Sequence, residues 1–300
     1  MSIVIPSHNR IEKLLRLLDS VDESSVPQDA REVIVIDDNC TDATALILAE
    51  RAPSVTVISA PIVKEGEFNG VSVSRQLGAN VARAPNICFI DDDNIIDARM
   101  IELLVEALEA DPSIGVVGPL MLSWPDGTGI WCAGARFTRT GLPHHQADCP
   151  FIIDTDGNNL MIPCDYIPNA FCTRKSTLDT VPFDPKLFPH NFSECDWGFR
   201  LQDAGFDVRV VVNAKTWHDT GYKGRATRIS NPAFVRDQAR SRIIFRRKYS
   251  NRFVSMFWFW IYWFPISSLY YLFRFAGTRQ FRKLTYAYLL GTWQGLRSTG

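Results

Sequence analysis

The strongest constraint on the fold is an alternation in residues 1–110: short apolar runs take turns with stretches whose aliphatic residues recur at helical spacing. Residues 2–6 (SIVIP), 32–36 (EVIVI), 55–58 and 86–90 (NICFI) read as strands of the buried type, apolar on both faces. Between the first two, Ile11, Leu14, Leu15, Leu17, Leu18 and Val21 fall on one helical face, with Asn9 as the expected cap. Residues 43–51, 71–82 and 98–110 read as three more helices. Strands that alternate with helices predict an α/β fold with a doubly wound, mainly parallel sheet covered on both faces. Ligands of such sheets bind outside the carboxyl ends of the strands. The polar residues there are Ser7, His8, Asn9 and Arg10 after the first strand, and Asp37, Asp38 and Asn39 after the second. Asp91, Asp92, Asp93 and Asn94 follow the fourth.

Consecutive carboxylates on one loop repel one another and stay ionised only where cations or hydrogen bonds compensate them. Oxygen ligands at this density suit Mg²⁺ or Mn²⁺, which use one or two carboxylates and complete their shell with substrate phosphate. Asp91–Asp93 therefore reads as a metal–diphosphate site. A solvated acidic turn ahead of the helix at residue 98 is the plainer alternative.

After Ile114 the alternation gives way to short β-like runs at 115–123, 129–137 and 165–173. Asp156-Gly157 predicts a hairpin turn between 151–153 and 160–162. A helix over 194–203 ends near Gly205, and residues 208–212 and 215–217 read as extended. The chain thus divides into a regularly alternating half (1–113), a mixed half (114–220) and a C-terminal region (221–300). Seven cysteines without a Cys-x-x-Cys pair predict reduced thiols, with neither a disulfide frame nor a zinc site.

The pieces IPSHNR, VIVIDDNCTD, SRQLGANVARA, ICFIDDDN and SECDWGFRLQDAG followed by WHD resemble, in order and spacing over about residues 1–220, the inverting glycosyltransferases of family 2. The resemblance implies the GT-A fold and a nucleotide-diphosphate sugar donor, with residues 1–113 as the nucleotide-binding half and 114–220 as the acceptor half of one catalytic domain. It implies that the first strand end (Pro6, Ser7, Asn9, Arg10) and Asp38 hold the nucleotide, with Arg75 lying against it. Asp91 and Asp93 would orient the ribose and a divalent metal (Mn²⁺ or Mg²⁺), Asp92 sharing the ribose contact, and His218 would supply a third metal or diphosphate contact. The family's base lies in a motif that usually reads Glu-Asp-x-Asp; here it is Ser193-Glu194-Cys195-Asp196, so the catalytic carboxylate is left open between Glu194 and Asp196. Trp124, Trp131 and Trp197 could stack on sugar rings, Trp197 within that motif the best placed of them, although core packing is the commoner fate for Trp. Lys223, Arg225 and Arg228 lie on a Gly-flanked loop suited to a diphosphate. His8 has no assignable role, and His144, His145 and His190 read as surface or acceptor-loop residues.

Two rivals remain. A nucleotidylyltransferase would need a Gly-rich loop after the first strand, and IPSHNR has no glycine. A non-catalytic scaffold of the same fold is suggested by Ser193 in place of an acid.

Charge is divided unevenly. Residues 221–300 hold fifteen Lys and Arg and one acid, Asp237, so of the 32 basic and 33 acidic residues 17 and 32 lie in 1–220, giving about −15 and +14. Within the basic region, 253–275 (FVSMFWFWIYWFPISSLYYLFRF) carries one charge, Arg274, and is rich in Trp and Tyr with Pro265 at its centre. Interfacial aromatics and flanking arginines favour a segment lying in one leaflet, on an anionic cytoplasmic membrane face, through about residues 232–300, with a membrane span or helices packed on the enzyme or in an oligomer as the alternatives. The matching acceptor is a polyprenyl-linked saccharide or glycolipid. Nucleic acid is not expected, because the aromatics form an apolar block and do not interleave with the basic residues.

Overall fold

The apolar runs of the first half become parallel strands in the computed structural model, which describes residues 1–64, 69–125, 127, 129–138, 143–146, 160–219, 231–250, 259–276 and 278–298. β1 (Ser2–Ser7), β2 (Glu32–Asp37), β3 (Thr56–Ser59) and β4 (Asn86–Ile90) pair in the order β3-β2-β1-β4, all parallel. Helices α1 (Ile11–Asp22), α2 (Thr44–Arg51), α3 (Val71–Val81) and α4 (Met100–Ala110) connect or follow them. The helix over Ile11 starts one residue later than expected: Asn9 adopts φ 54°, Arg10 occupies the cap position, and no side chain caps it.

Small residues let α3 sit low on the sheet. A Cβ on Gly78 would lie 2.2 Å from Val4 Cγ1, so no other residue permits this approach. Arg75, one turn earlier on the same face, is thereby carried beneath the sheet rim.

The second half completes the same sheet. β6 (Ile114–Ser123), β11 (Ala170–Arg174) and β12 (Asp207–His218) extend it in the order β12-β6-β11-β4, with β11 antiparallel to both neighbours. Short strands β5 (Asn94–Ile96), β7 (Ile130–Cys132) and β10 (Met161–Pro163) pair with β12, β6 and β12, and β8 (Ala135–Phe137) pairs with β9 (Pro143–His145) in a small separate sheet. The runs expected at 208–212 and 215–217 are one strand with an irregularity between Val211 and Lys215. Helices α5 (Lys175–Thr180) and α6 (Ser193–Asp203) complete this half. The hairpin expected around Asp156-Gly157 lies outside the described residues.

One cysteine expectation is corrected. Antiparallel pairing of β4 with β11 places Cys88 opposite Cys172, and the two form a disulfide in the buried centre of the sheet. Sequence spacing could not show this, because the partners are 84 residues apart. Cys132, Cys164 and Cys195 are buried free thiols.

The C-terminal region is a helical layer of α7 (Pro232–Lys248), a π-helical turn (Phe259–Trp263), α8 (Phe264–Ala276) and α9 (Phe281–Arg297). Asn231 caps α7, its Oδ1 accepting from the backbone N–H of Ala233 at 2.9 Å, with Pro232 at the first helical position. α9 lies close on α7 because Gly291 and Gly295 face it: a Cβ on Gly291 would stand 2.1 Å from the Arg236 carbonyl oxygen. Arg242 ties the layer together. Its guanidinium donates to Ser267 Oγ (2.7 Å) and Tyr288 Oη (2.6 Å) and lies 5.5–5.9 Å from the rings of Phe264, Tyr271 and Tyr288. Among the described residues, no helix is long and apolar enough to cross a membrane.

Candidate active site

The three aspartates sit in the tight connection between β4 and β5. β5 pairs antiparallel with the end of β12, placing Asn94 opposite His218. That pairing, which the three-residue length of β5 hides from sequence inspection, is why residues more than 120 positions apart meet. Asp93 Oδ1 stands 3.4 Å from His218 Nε2, and the Asp219 N–H donates to the Asp93 carbonyl at 2.8 Å. Trp131 packs edge-on against the His218 ring at 4.4 Å and against His145 at 4.8 Å.

Each aspartate has a different duty. Asp92 points inward and is 3% exposed; Ser7 Oγ donates to it at 2.9 Å and Arg10 Nη1 at 2.9 Å. Burial pushes its carboxyl up to about 6 against the pull of Arg10. Asp92 is thus tied to the β1 end through both of its oxygens. Arg10 Nη1 also reaches Asp93 Oδ2 at 2.9 Å, so one guanidinium offsets two carboxylates.

Asp91 is held from the other side by Arg75, whose Nη2 donates to Asp91 Oδ1 at 2.7 Å while its Nη1 donates to Glu194 Oε1 at 2.6 Å. Arg75 is 0% exposed and lies 5.1 Å from the Phe171 ring. The expectation that Arg75 touches the nucleotide is therefore corrected: it is a buried bridge between the Asp-x-Asp loop and α6. Burial pushes both of its partners up. At Asp91 burial wins and the carboxyl lies above its ordinary value. At Glu194 the charge and hydrogen bond of Arg75, with Ser193 Oγ donating at 2.8 Å, outweigh burial and hold the carboxyl below it.

Glu194 and Asp196 are two residues apart on α6, hence about 200° apart around its axis. Glu194 shares the Arg75 bridge with Asp91. Asp196 faces the opposite way, 1% exposed, and accepts from Arg200 Nε, Lys248 Nζ and Tyr249 Oη, each at 2.7 Å. Asp196 is an anchor between α6 and α7, which removes it as a catalytic candidate. Trp197 is likewise corrected. It is 2% exposed, donates through Nε1 to the Val181 carbonyl at 2.7 Å, and packs against Phe171 and Phe183 in the core.

Pro6 is the penultimate residue of β1, and the loops after β1 and β2 are laced together. Asn9 Oδ1 accepts from the Thr41 N–H at 2.6 Å, and Asp38 Oδ1 accepts from Asn69 Nδ2 at 2.7 Å. His8 Nδ1 lies 2.6 Å from the Asp38 carbonyl oxygen. Asp38 and Asn9 thus line the same rim as the aspartates. Lys223, Arg225 and Arg228 lie outside the described residues.

Asp93 and His218 provide a carboxylate and an imidazole facing each other, with Asp91 two residues away. Among the described residues no three acidic, imidazole or thiol groups converge. The donor set fits a divalent ion that takes few protein ligands and fills its shell with phosphate oxygens and water.

A sequence profile for glycosyl transferase family 2 matches residues 2–155. The chain belongs to that family. A probable glycosyltransferase of Bacillus subtilis, YdaM, is 29% identical over 221 residues, covering 72% of this chain and 50% of YdaM. An uncharacterized glycosyltransferase of Haemophilus influenzae is 29% identical over 118 residues, covering 39% of this chain and 37% of the relative. The family 2 chain thus spans half or less of these relatives' lengths. Its fold is GT-A-like: GalNAc-T7, solved with UDP, GalNAc and Mn²⁺, aligns over 84% of this chain and 50% of its own at TM-score 0.63 and 15% identity. The mannosyltransferase PcManGT of Pyrobaculum calidifontis, solved with GDP-Man and Mn²⁺, aligns over 100% of this chain and 87% of its own at TM-score 0.57 and 12% identity.

Proposed function

We propose that this protein is a metal-dependent inverting glycosyltransferase that moves a sugar from a nucleoside-diphosphate donor to a hydroxyl of a membrane-associated acceptor. The observation that carries this reading is the Arg75 bridge, which fixes the Asp-x-Asp loop and Glu194 on one rim, 2.7 and 2.6 Å from the same guanidinium. Donor and base must lie on opposite sides of the reacting carbon, and one rigid cation sets their separation. The donor's base and ribose would lie along Asn9 and Asp38, and Asp91 and Asp93 would face the diphosphate. In the transfer the acceptor oxygen bonds to the anomeric carbon as the bond from that carbon to the diphosphate oxygen breaks. Glu194, held ionised by Arg75, takes the acceptor's hydroxyl proton. Asp93 and His218 would hold a divalent ion, with Asp91 on the same loop, and the ion when bound would offset the negative charge of the diphosphate. The structural neighbours solved with UDP and GalNAc and with GDP-Man, each with Mn²⁺, support this donor class.

The test is a thermal-shift panel of UDP-, GDP- and dTDP-sugars with and without Mn²⁺. Stabilisation is expected only with nucleotide and metal together, about 2–3 kcal/mol at a hundredfold excess over Kd, and Asp93→Asn should abolish the metal-dependent part. Stabilisation by nucleotide regardless of metal would overturn the metal-dependent reading.

The membrane part of the proposal rests on α8 and α9. Their outward faces carry Ile266, Leu269, Tyr270 and Phe273, and Tyr286, Leu289, Trp293 and Leu296, all between 46% and 84% exposed. Each set follows helical spacing, forming two apolar stripes larger than the scattered apolar residues of an ordinary surface. Arg274, Arg279, Arg282, Lys283 and Arg297 surround them, suiting an anionic leaflet on the cytoplasmic side. The protein is expected to co-sediment with vesicles containing anionic lipid. Leu269→Glu/Phe273→Glu/Leu289→Glu should weaken that binding more than tenfold without loss of nucleotide binding. Equal sedimentation of this variant would overturn membrane docking through this face.

A further inference from the structure

The chain turns into α6 through Phe192, whose backbone has φ 65°, ψ 10°. A bulky residue in the left-handed region is disfavoured and persists only where its surroundings over-determine it. Those surroundings come from α7. The Phe245 ring, 0% exposed, stacks on the Phe192 ring at 4.9 Å with 28° between planes. On the other side of the turn, Asp237 Oδ2 accepts from the Asn191 N–H (3.2 Å) and Asn191 Nδ2 (2.7 Å). Arg240 Nη1 donates to the Leu187 carbonyl at 2.8 Å, fixing the approach to the turn. Glu194 is the second residue after Phe192, so the direction of its carboxylate depends directly on that turn.

We infer that Phe245 and Asp237 of α7 are positioning residues for the base: they hold the left-handed turn at Phe192 that aims Glu194 at the acceptor. The inference rests on the reading of Glu194 as the base. It makes the C-terminal helical layer a working part of the active site. Without the ring stack and the Asp237 hydrogen bonds, Phe192 relaxes toward negative φ, the first turn of α6 rotates, and Glu194 leaves the 2.6 Å contact with Arg75. Donor contacts on β1, β2 and the Asp-x-Asp loop stay where they are.

The experiment measures kcat, donor KM and melting temperature on full-length Phe245→Leu, Asp237→Ala, Asp237→Asn and Glu194→Gln. Misplacing a catalytic group by about 1 Å costs on the order of 100-fold, so Phe245→Leu and Asp237→Ala are expected to lower kcat about 10- to 100-fold with donor KM within about twofold. Asp237→Asn keeps an oxygen for Asn191 and is expected to hold kcat within about threefold of wild type, while the fall in kcat without a rise in donor KM in Asp237→Ala separates positioning of the base from a general loss of structure. Should Phe245→Leu fail to fold, the Asp237 pair carries the test alone. Undiminished kcat in folded Asp237→Ala overturns the inference, as does an equal loss in Asp237→Asn. Full transfer by Glu194→Gln overturns the base reading itself, and the inference with it. An inactive Glu194→Gln beside an undiminished Asp237→Ala overturns the inference alone.

Discussion

Glu194→Gln is expected to lower kcat for sugar transfer by about 10³-fold, within the range that loss of a general base costs, while donor binding and melting temperature stay close to wild type. Glutamine keeps the side-chain length and an oxygen to accept from Arg75 Nη1, so the bridge to Asp91 survives in geometry. What it loses is the ability to take a proton. The contrast is Asp196→Asn. That change weakens a buried acceptor of three donors and costs about 1–3 kcal/mol of stability, yet leaves more than a tenth of kcat, because Asp196 faces α7 and not the cleft. Both variants are checked by the same pair of measurements, steady-state transfer with purified donor and a thermal melt. The opposite pattern, an active Glu194→Gln and an inactive, well-folded Asp196→Asn, would return the base to Asp196.

The sequence was a good guide where local pattern decides structure. The strands at 32–36 and 86–90 and the helices at 71–82 and 98–110 agree with the observed elements to within two residues, because buried parallel strands and amphipathic helices are written in short-range periodicity. Asp91, Asp93 and Asp38 could be singled out because they follow strand ends, whereas Glu194 stood out only through the family resemblance. What could not be read is the direction in which a side chain turns once distant segments meet. Arg75 looked like a nucleotide contact, yet close packing of Gly78 on Val4 buries it. Asp196 and Trp197 looked like site residues because they neighbour Glu194, but a helix sends successive residues to different sides. His218 found Asp93 through β5, too short to stand out in the sequence, and Cys88 found Cys172 through an antiparallel strand inserted from the second half. Long-range pairing is the common cause of each difference.

Arg75→Met is expected to be strongly damaging, because it removes the buried cation that two partly buried carboxylates share. Asp91 is 23% and Glu194 17% exposed at the side chain, and Arg75 is wholly enclosed. Methionine fills much of the space and can still lie on the Phe171 ring, so the loss is electrostatic more than steric. Breaking a buried ion pair by removing one partner costs about 3–5 kcal/mol, since the remaining charge stays desolvated. Here two charges are left, and they also repel each other. The sign of the proton response follows. Burial already pushes Glu194 up, and chiefly the charge and hydrogen bond of Arg75, helped by a backbone N–H and by Ser193, bring it below its ordinary value of 4.5. Without Arg75 its folded-state value rises above the unfolded one, so the variant gains stability as pH falls toward that value, the reverse of the wild-type contribution. The acid limb of any residual transfer rate moves to higher pH for the same reason. Arg75→Lys separates charge from geometry. A single ammonium is a compact donor that cannot span both carboxylates as a guanidinium fork does, so stability is expected to recover in part while kcat stays at least tenfold down. Melting curves at pH 5 and 8 for both variants check the first claim and pH–rate profiles the second. Wild-type kcat in Arg75→Lys would mean that the two carboxylates need only a nearby positive charge, and that the fixed 2.7 and 2.6 Å spacing across the guanidinium has no part in transfer.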